Sequence, residues 1–530
     1  MIEDWQNLSL KEQIAQMIVV RASGYLFDHQ IRYPDWEASN SKLNQWLEEL
    51  NLGGVILLGG SSIELQQRSQ QLQSWAKTPL LIAADIEEGI GQRFPGGTWF
   101  PPPMALGSIY KQNPELALNY VTEMGRITAR EAISVGINWI LAPVVDVNNN
   151  PDNPAINIRS FGETPKVVSA LSSAFIDGAK TYPVLTTAKH FPGHGDTAVD
   201  SHLELPSLPH NENRLNQIEL PPFKQAIAAG VDSIMTAHLA IPVWDKVKPA
   251  TVSHKIITEK LRQQLGFAGL VVTDALIMGG INKYASPKEI AVMAVKAGTD
   301  VLLMPRDPEE AIAAIYDAVM SGNISKDRIE QSLARIWQAK HKVLTAEQPI
   351  CSLSSPQARA TVEAMVRDSV KIGNVSLTIE DKKNHRNLIV VDDVLNASYL
   401  DLNAPAIALP QKLGYKRQIV DSNTINSILL DSDPTLLQLF VRGNPFRGRA
   451  GLTQETKQMY QKLIAREQIE GIVIYGSPYI LHWFEKFMSK DTPWVFSYGQ
   501  SEQAQAIALN ALYARDFNTS NLDSLSNFGF

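Results

Sequence analysis

At 530 residues the chain is too long for one hydrophobic core, so we expect two domains. Its 44% hydrophobic and 19% charged residues are typical of a folded globular protein and exclude extended disorder. The net charge of −7 provides no basic field for a phosphate backbone, so no nucleic acid partner is expected.

The first residues of the chain predict neither export nor membrane insertion. Glu3 and Asp4 stand where a signal peptide carries basic residues, and Gln13 and Gln16 interrupt the apolar stretch that follows. No run approaches the roughly 18 apolar residues of a membrane span, so no membrane partner is expected. The single cysteine, Cys351, has no internal partner for a disulfide, which fits a reducing compartment. We therefore expect a cytoplasmic protein.

The first two-thirds of the chain alternate short, β-branched apolar runs with longer amphipathic stretches. This is the pattern of repeated βα units around a parallel sheet. Strands are predicted at residues 17–21, 54–58, 80–85, 139–144, 185–190, 233–238, 270–274 and 300–304. Helices are predicted at 63–75, 114–135, 213–229, 287–297, 308–320 and 325–344. Eight strands followed by helices predict a (β/α)8 barrel, with an open doubly wound sheet as the alternative.

Turn-forming residues at 347–356 end the helical pattern and predict a domain boundary. We place a barrel domain at residues 1–346, a linker at 347–370 and a C-terminal α/β domain at 371–530. Apolar runs at 387–391, 406–409, 435–441 and 471–475 predict the strands of this second domain, which we expect to be a smaller α/β sandwich.

Ionisable residues follow many of the predicted barrel strands. In a (β/α)8 barrel, catalytic groups lie at the carboxyl ends of the strands. These positions hold Asp85 (third strand), Asp146 and Arg159 (fourth), Lys189 and His190 (fifth), His238 (sixth) and Asp274 (seventh). A purely structural barrel would not need so many, so this end of the barrel is predicted to carry a site.

The stretch KHFPGHGDTAVDSHLELP at residues 189–206 contains three histidines and three acidic residues. Gly193 and Gly195 predict a loop, which at about twenty residues is far longer than the usual 2 to 6 of a βα connection. One histidine alone is most simply structural, but the cluster favours a functional loop.

Metal binding is the alternative interpretation of this loop, since its residues include metal-ligand types. Barrel sites usually draw metal ligands from several strands, and no His-x-His ends an early strand, so no metal is predicted. The residues in question are His190, His194, Asp196, Asp200 and His202.

The segment GLVVTDALIMGG at residues 269–280 places Asp274 at the end of an apolar strand. A helix-capping role and a functional role fit this segment equally well.

Three motifs together resemble glycoside hydrolase family 3, in its bacterial β-N-acetylglucosaminidase (β-hexosaminidase) branch, whose members act in cell-wall recycling. They are KHFPGHGDTAVDSH, VVTDAL and APVVDVNNNPDNPAINIRSFGE, and the resemblance covers residues 1–345. It implies that Asp274 is the nucleophile and that Asp200 and His202 form the acid/base dyad. The sugar-binding positions it implies are Asp85, Arg93, Arg159, Lys189 and His190.

This resemblance implies a retaining β-N-acetylhexosaminidase that removes terminal β-linked N-acetylglucosamine, from muropeptides for example, without a cofactor. The mechanism agrees with the residues, because an imidazole that titrates near neutral pH suits both halves of a two-step cycle. Asp200, two residues away, can orient His202 and stabilise its protonated form.

Three alternatives remain open. Histidine repels anions less than a carboxylate, so phosphate could replace water and make the protein a glycoside phosphorylase. A β-glucosidase of the same family is disfavoured by the Asp-Ser-His motif. A catalytically silent sugar-binding protein is disfavoured because it would not need Asp274, Asp200 and His202 together.

One segment of the barrel domain differs from the family pattern, and two segments after the barrel also bear on function. The family pattern DxEGGxVxR appears as DIEEGIGQR at residues 85–93, with Glu88 in place of a glycine and Gly91 in place of a valine. GIVIYGSPY at 471–479 resembles the α/β domain that some members carry after the barrel. The segment RGNPFRGR at 442–449 is most simply a solvated basic loop, and contact with an anionic part of a muropeptide is the alternative.

Overall fold

The protein is described by a computed structural model that covers residues 4–201, 203–344, 352–373, 375–378, 382–394, 397–421, 424, 433–442, 451–465 and 469–513. His202, Cys351 and residues 443–449 lie outside the described residues. The chain forms two compact units, one ending at Val362 and one beginning at Glu363. The predicted linker at 347–370 contains a helix, Pro356–Ser369, and the predicted domain limits stay predictions.

The first unit is built on eight strands in chain order. They are β1 (Ile18–Ser23), β2 (Gly54–Leu58), β3 (Leu81–Ala84), β4 (Trp139–Ile140), β5 (Leu185–Phe191), β6 (Ser233–Thr236), β7 (Leu270–Thr273) and β8 (Leu302–Leu303). Neighbouring strands pair in parallel from β1 through β7, and β1 also pairs with β8. A parallel bridge between Val272 and Val301 joins β7 to β8 and closes the circle. The predicted (β/α)8 barrel is confirmed.

Helices cover the outside of this barrel. They are α1 (Leu10–Ala15), α2 (Asn40–Gln45), α3 (Ser62–Trp75), α4 (Pro103–Gln112), α5 (Pro114–Ser134), α6 (Pro165–Ala179), α7 (Glu212–Arg214), α8 (Leu220–Ala228), α9 (Gly279–Asn282), α10 (Pro287–Ala297), α11 (Pro308–Met320) and α12 (Lys326–Leu344). A further helix, α13 (Pro356–Ser369), contains the boundary between the two units. Strands and helices alternate because the sequence supplies fully buried apolar strands and well-marked helix starts. β1 and β5 are buried along their whole length, as expected for parallel strands covered on both faces.

The helix starts follow from local sequence chemistry. Ser286 caps α10 and forms a capping box with Glu289, while Pro287 occupies the first helical position. Asp307 caps α11 by accepting from the N–H groups of Glu309 and Glu310. None of the described helices is long and apolar enough to cross a membrane.

A buried carboxylate at the amino end of β8 locks the closure of the barrel. Asp300 accepts hydrogen bonds from Val271 N (3.0 Å), Arg328 (3.0 Å) and Arg335 (3.1 Å), and it also pairs with Arg262. These partners come from β7, from the helical turns before it and from α12. The Asp300 side chain therefore connects the junction between β7 and β8 to the helices outside the barrel.

The second unit is a six-stranded sheet with helices. Its strands are β9 (Lys371–Ile372), β10 (Arg386–Val391), β11 (Lys416–Val420), β12 (Thr435–Val441), β13 (Ile469–Gly476) and β14 (Trp494–Ser497), in the order β11-β10-β12-β13-β14-β9. Its helices are α14 (Pro405–Lys412), α15 (Gln454–Ala465), α16 (Pro478–Phe484) and α17 (Glu502–Tyr513). Only the edge strand β9 pairs antiparallel within the described sheet.

The strand predicted at 406–409 is wrong, because these residues lie in α14. A short apolar run does not distinguish a buried strand from a buried helix. The helix is favoured here because Pro405 occupies its first position and because alanine and leucine have high helix propensity. The other three predicted strands correspond to β10, β12 and β13.

A buried lysine at the amino end of the barrel lacks a carboxylate partner among the described residues. Lys340 Nζ donates to Gln16 Oε1 (2.6 Å) and to the Pro79 carbonyl (2.7 Å), and it lies 5.3 Å from the centre of the Trp337 ring. Burial lowers the pKa of Lys340 to about 7. Between pH 7 and the ordinary pKa near 10.4, the unfolded chain holds a proton that the folded chain lacks, so this group makes stability rise with pH.

Comparison of Lys340→Met with the wild type should reveal this linkage. From pH 6 to pH 9 the wild type should gain about 2–3 kcal/mol of unfolding free energy relative to the variant, measured by urea unfolding followed by tryptophan fluorescence. The exposed Lys326→Met on the same helix is the control and should track the wild type at both pH values. A pH-independent difference for Lys340→Met would contradict the lowered pKa.

Candidate active site

A fully buried glutamate joins three strand ends at the carboxyl end of the barrel. Glu87, after β3, accepts two hydrogen bonds from Arg159, at 2.8 and 2.9 Å, and pairs with Lys189 Nζ at 2.7 Å. Burial alone would raise the pKa of Glu87, but the two cations outweigh it and hold that pKa well below its usual range. Burial alone would lower the pKa of Lys189, but Asp85 and Glu87 outweigh it and raise that pKa. All three groups are therefore charged at neutral pH.

Asp85 is the accessible carboxylate of this network. Its side chain is 33% exposed, whereas that of Lys189 is 1% exposed, and Lys189 Nζ donates to Asp85 Oδ1 at 2.6 Å. The ammonium has three donors, of which Asp85 and Glu87 take two, so one remains for a ligand. Arg93 donates to the backbone carbonyl of Asp85 at 3.2 Å, not to its carboxylate. The site thus presents fixed donors and an open acceptor, a combination suited to sugar hydroxyls.

A second buried carboxylate orients His190. Asp146 Oδ2 lies 2.7 Å from His190 Nδ1, and because a carboxylate only accepts, Nδ1 carries the proton. This leaves His190 Nε2 with no partner among the described side chains. Burial would raise the pKa of Asp146, but His190 and then His194 outweigh it and lower that pKa.

The long loop after β5 is fastened at its start. The backbone N–H of His194 donates to Asp146 Oδ1 at 2.6 Å, and Asn153 Nδ2 donates to the carbonyls of His194 (2.7 Å) and Gly195 (3.0 Å). A Cβ on Gly195 would lie 1.8 Å from the Val147 carbonyl oxygen, so only glycine fits there. The loop therefore starts in one fixed position beside Asp146.

His194 links this start to the segment that contains Asp200. Its Nδ1 lies 2.8 Å from Thr197 Oγ1, and its Nε2 lies 2.9 Å from Ser201 Oγ. Burial lowers the pKa of His194 to about 4, partly offset by the charges of Asp146 and Asp274. His194 is therefore neutral at pH 7. Since Thr197 Oγ1 donates to the His194 carbonyl, Nδ1 is the protonated nitrogen and Nε2 accepts from Ser201.

The predicted acid/base residues flank Ser201. Asp200 is buried, and its carbonyl accepts from the N–H groups of Leu203 and Glu204 at 3.0 Å each. His202 is not among the described residues, so its predicted role stays a prediction.

Asp274 follows β7 and is half-buried at the same end of the barrel. Its N–H donates to the Thr236 carbonyl at 3.0 Å, and its Oδ1 accepts from Ala275 N at 2.8 Å. The next helix, α9, starts only at Gly279, so the carboxylate does not cap a helix. His238, predicted at the end of β6, lies 3.1 Å from the Ala275 carbonyl and 2.7 Å from Thr251 Oγ1.

The residues considered as metal ligands do not gather as one group in the described part of the chain. Asp196 instead lies near His210 (2.9 Å) and Glu219, and Arg214 contacts Asp196 at 2.9 Å and Glu219 at 3.2 Å. The guanidinium supplies the positive charge that a cation would bring. Burial raises the pKa of Glu219, and Arg214 only partly offsets this.

The two departures from the family pattern both lie beside Trp99. Glu88 is fully buried and accepts from Trp99 Nε1 at 2.9 Å. A Cβ on Gly91 would lie 2.5 Å from the Gly97 carbonyl oxygen and 2.7 Å from Trp99 Cβ. A valine at position 91 would therefore collide with the segment that contains Trp99. Asp85 and Arg93, at the two ends of the 85–93 segment, remain in contact.

Sequence reasoning missed Glu87 as a site residue. It is one of three acidic residues in the stretch 85–88, and only the fold shows that Asp85 stays open, Glu87 points to Lys189 and Arg159, and Glu88 points to Trp99. The available signal was the excess of cations, Arg159 and Lys189, at buried strand ends, because buried cations require a buried partner.

The barrel and the carboxylate-rich site at the carboxyl ends of its strands are those of a barrel enzyme. The Glycosyl hydrolase family 3 N terminal domain matches residues 9–339, and the Bacterial Glycosyl hydrolase family 3 C-terminal domain matches residues 378–514. The chain belongs to glycosyl hydrolase family 3.

Known relatives agree with this assignment. Beta-hexosaminidase A of Pseudoalteromonas piscicida is 34% identical over 371 residues, which cover 63% of this chain and 62% of that protein. A glycoside hydrolase family 3 beta-N-acetylglucosaminidase from Paenibacillus sp. str. FPU-7 superimposes with a TM-score of 0.79 at 28% identity, covering 95% of this chain and 96% of that one. A beta-glucoside phosphorylase shares the fold with a TM-score of 0.80 at 20% identity, covering 96% and 93%.

Removing the central carboxylate should destabilise the fold. Glu87→Gln leaves two buried cations without their counter-charge, so the free energy of unfolding should fall by about 3–5 kcal/mol. Glu163→Gln is the control, because Glu163 and its partner Lys111 are exposed and pair at 3.2 Å, and it should cost less than about 1 kcal/mol. Equal effects in urea unfolding would contradict the central role of Glu87.

Proposed function

We propose that the protein removes terminal β-linked N-acetylglucosamine from glycosides with retention of configuration. The observation that carries this proposal is the Asp85–Lys189–Glu87–Arg159 network, which offers fixed donors and one open carboxylate at the same end of the barrel as Asp274. The beta-hexosaminidase and beta-N-acetylglucosaminidase relatives support the choice of sugar.

In this proposal Asp85, Arg93, Arg159, Lys189 and His190 hold the sugar. Asp85 accepts from hydroxyls, Lys189 donates its third N–H, and His190 offers Nε2. Arg159 has five N–H donors, of which Glu87 accepts two and the Ala155 carbonyl accepts one at 2.7 Å, so two remain for the sugar.

The reaction proceeds in two steps. The Asp274 carboxylate attacks the anomeric carbon while the bond to the leaving oxygen breaks, and His202 gives that oxygen a proton. Water then attacks the same carbon, His202 takes its proton, and the bond to Asp274 breaks to release the sugar. Asp200 stabilises the protonated form of His202, which is present before the first step and is restored by the second. A role in recycling peptidoglycan fragments follows from this activity and belongs to the same proposal.

The nucleophile assignment has a direct test with 4-nitrophenyl β-N-acetylglucosaminide and the matching β-glucoside. The wild type should release nitrophenol from the N-acetyl substrate far faster, and Asp274→Ala and His202→Ala should each lose about 10³-fold or more in kcat. Asp307→Ala, which removes only a helix cap, should keep its activity at low temperature. No turnover by folded wild type would overturn the enzyme proposal in favour of a sugar-binding protein.

Phosphate decides between hydrolysis and phosphorolysis in the same assay. We expect free N-acetylglucosamine as the product with or without phosphate. Acceleration by phosphate with a sugar phosphate as product would replace hydrolase by phosphorylase.

Ser201 should act as a positioning residue for the dyad. Ser201→Ala removes the hydrogen bond to His194 Nε2 at 2.9 Å, which is worth about 1 to 1.8 kcal/mol, and kcat should fall about 5- to 20-fold with KM within about twofold of wild type. Ser201→Thr keeps the hydroxyl and should recover most of kcat. A rise in KM with kcat unchanged would show that the hydrogen bond between Ser201 and His194 does not position the Asp200–His202 dyad.

A further inference from the structure

A fully buried histidine follows β6 and lies beside the segment that contains Asp274. His238 is 0% exposed, and both nitrogens of its ring have a partner. Nδ1 lies 2.7 Å from Thr251 Oγ1, and Nε2 lies 3.1 Å from the carbonyl oxygen of Ala275. Because a buried polar ring needs its hydrogen bonds, these two contacts fix the plane of the imidazole. The two-step reaction proposed above does not use this residue.

The contact with Ala275 shows where the ring holds a hydrogen. A backbone carbonyl only accepts, so the hydrogen bond requires an N–H at Nε2 of His238. This holds whether Nδ1 donates to the Thr251 hydroxyl or accepts from it. Thr251 Oγ1 also lies 2.9 Å from the Ala237 carbonyl, so the other side of the ring is tied to the chain directly after β6. The imidazole therefore connects the end of β6 to the residue that follows Asp274.

Ala275 in turn orients the carboxylate of Asp274. The Ala275 N–H donates to Asp274 Oδ1 at 2.8 Å, and the Asp274 N–H donates to the Thr236 carbonyl at 3.0 Å. The N–H and the carbonyl of Ala275 belong to two planar peptide groups joined at one Cα. Holding the carbonyl therefore restricts the rotation that would turn the N–H away from Oδ1.

The segment after β7 is held from both neighbouring strands. On the β8 side, the Leu276 N–H donates to the Leu303 carbonyl at 2.9 Å. On the β6 side, His238 supplies the side-chain hydrogen bond to the Ala275 carbonyl. That carbonyl also accepts from the Met278 N–H at 3.1 Å, within the turn itself. Loss of the His238 hydrogen bond would leave the turn formed but held from β8 alone, so we expect a moderate effect.

We propose that His238 is a positioning residue for the nucleophile. Its Nε2–H holds the Ala275 carbonyl, which keeps the Ala275 N–H on Oδ1 of Asp274 and fixes the direction from which this carboxylate meets the anomeric carbon. The proposal rests on the proposed function, because it concerns the reaction of Asp274. A misplaced reacting atom costs rate more than binding, so the effect should fall on kcat and not on KM.

Two amide substitutions separate the roles of the two ring nitrogens. The side-chain nitrogen of glutamine reaches the place of Nε2, whereas that of asparagine reaches only the place of Nδ1. With 4-nitrophenyl β-N-acetylglucosaminide, His238→Asn should lower kcat about tenfold with KM within about twofold of wild type. His238→Gln should recover most of kcat. His254→Asn is the matched control, because His254 is 57% exposed and pairs with Glu259 at 3.5 Å, and its kcat should equal that of the wild type.

Thr251→Val tests the same hydrogen bond without changing the histidine. It removes the partner of Nδ1, so kcat should fall about threefold in the wild-type background. In the His238→Asn background it should leave kcat unchanged, because the side chain that Thr251 holds no longer reaches Ala275. Urea unfolding establishes that each variant is folded at the assay temperature. If His238→Asn does not fold, the loss in Thr251→Val decides.

Each contrary result has a defined meaning. An unchanged kcat in folded His238→Asn or in Thr251→Val would overturn the proposal. Equal losses in His238→Asn and His238→Gln would also overturn it, because they would show that the ring acts by packing and not through its Nε2–H. A rise in KM with kcat unchanged would place His238 on the sugar instead of on Ala275. Failure of the wild type to cleave the substrate would instead refute the proposed function.

Discussion

The site depends on the burial of one carboxylate between two cations. Glu87 brings Lys189 and Arg159 together at the carboxyl end of the barrel from two different strand ends, and without it their buried positive charges would lack a shared counter-charge. The cost of removing three charges from water is offset because each ion has more than one partner. Once this network is fixed, its most exposed charge is Asp85, and a ligand meets a surface whose donors are already oriented.

The loop after β5 is stabilised differently, by hydrogen bonds of the neutral His194 imidazole. The neutral ring of His194, whose centre lies 6.2 Å from that of His190, accepts one hydrogen bond and donates another. The loop is thus attached to the barrel through Asp146 and Asn153 and attached to itself through His194.

The sequence predicts the barrel well because each strand is an apolar run bounded by clear helix signals, and β2 and β12 match their predicted limits residue for residue. It predicts which residues lie at the strand ends, and Asp85, Lys189, His190 and Arg159 do meet there in two connected groups. It does not reveal Glu87, because three neighbouring acids look alike until the turn assigns each a direction. It also fails at 406–409, where apolarity alone left helix and strand undecided.

Asp300 lies at the amino end of the barrel, opposite the site, and closes the ring of strands there with three arginines. The strand that carries Asp274 borders this seam, so its position is fixed from the far end and not by the loops that surround the ligand. The two ends of the barrel can accordingly change independently over evolution. Loops at the carboxyl end can gain or lose residues and acquire new preferences while the ring of strands stays shut.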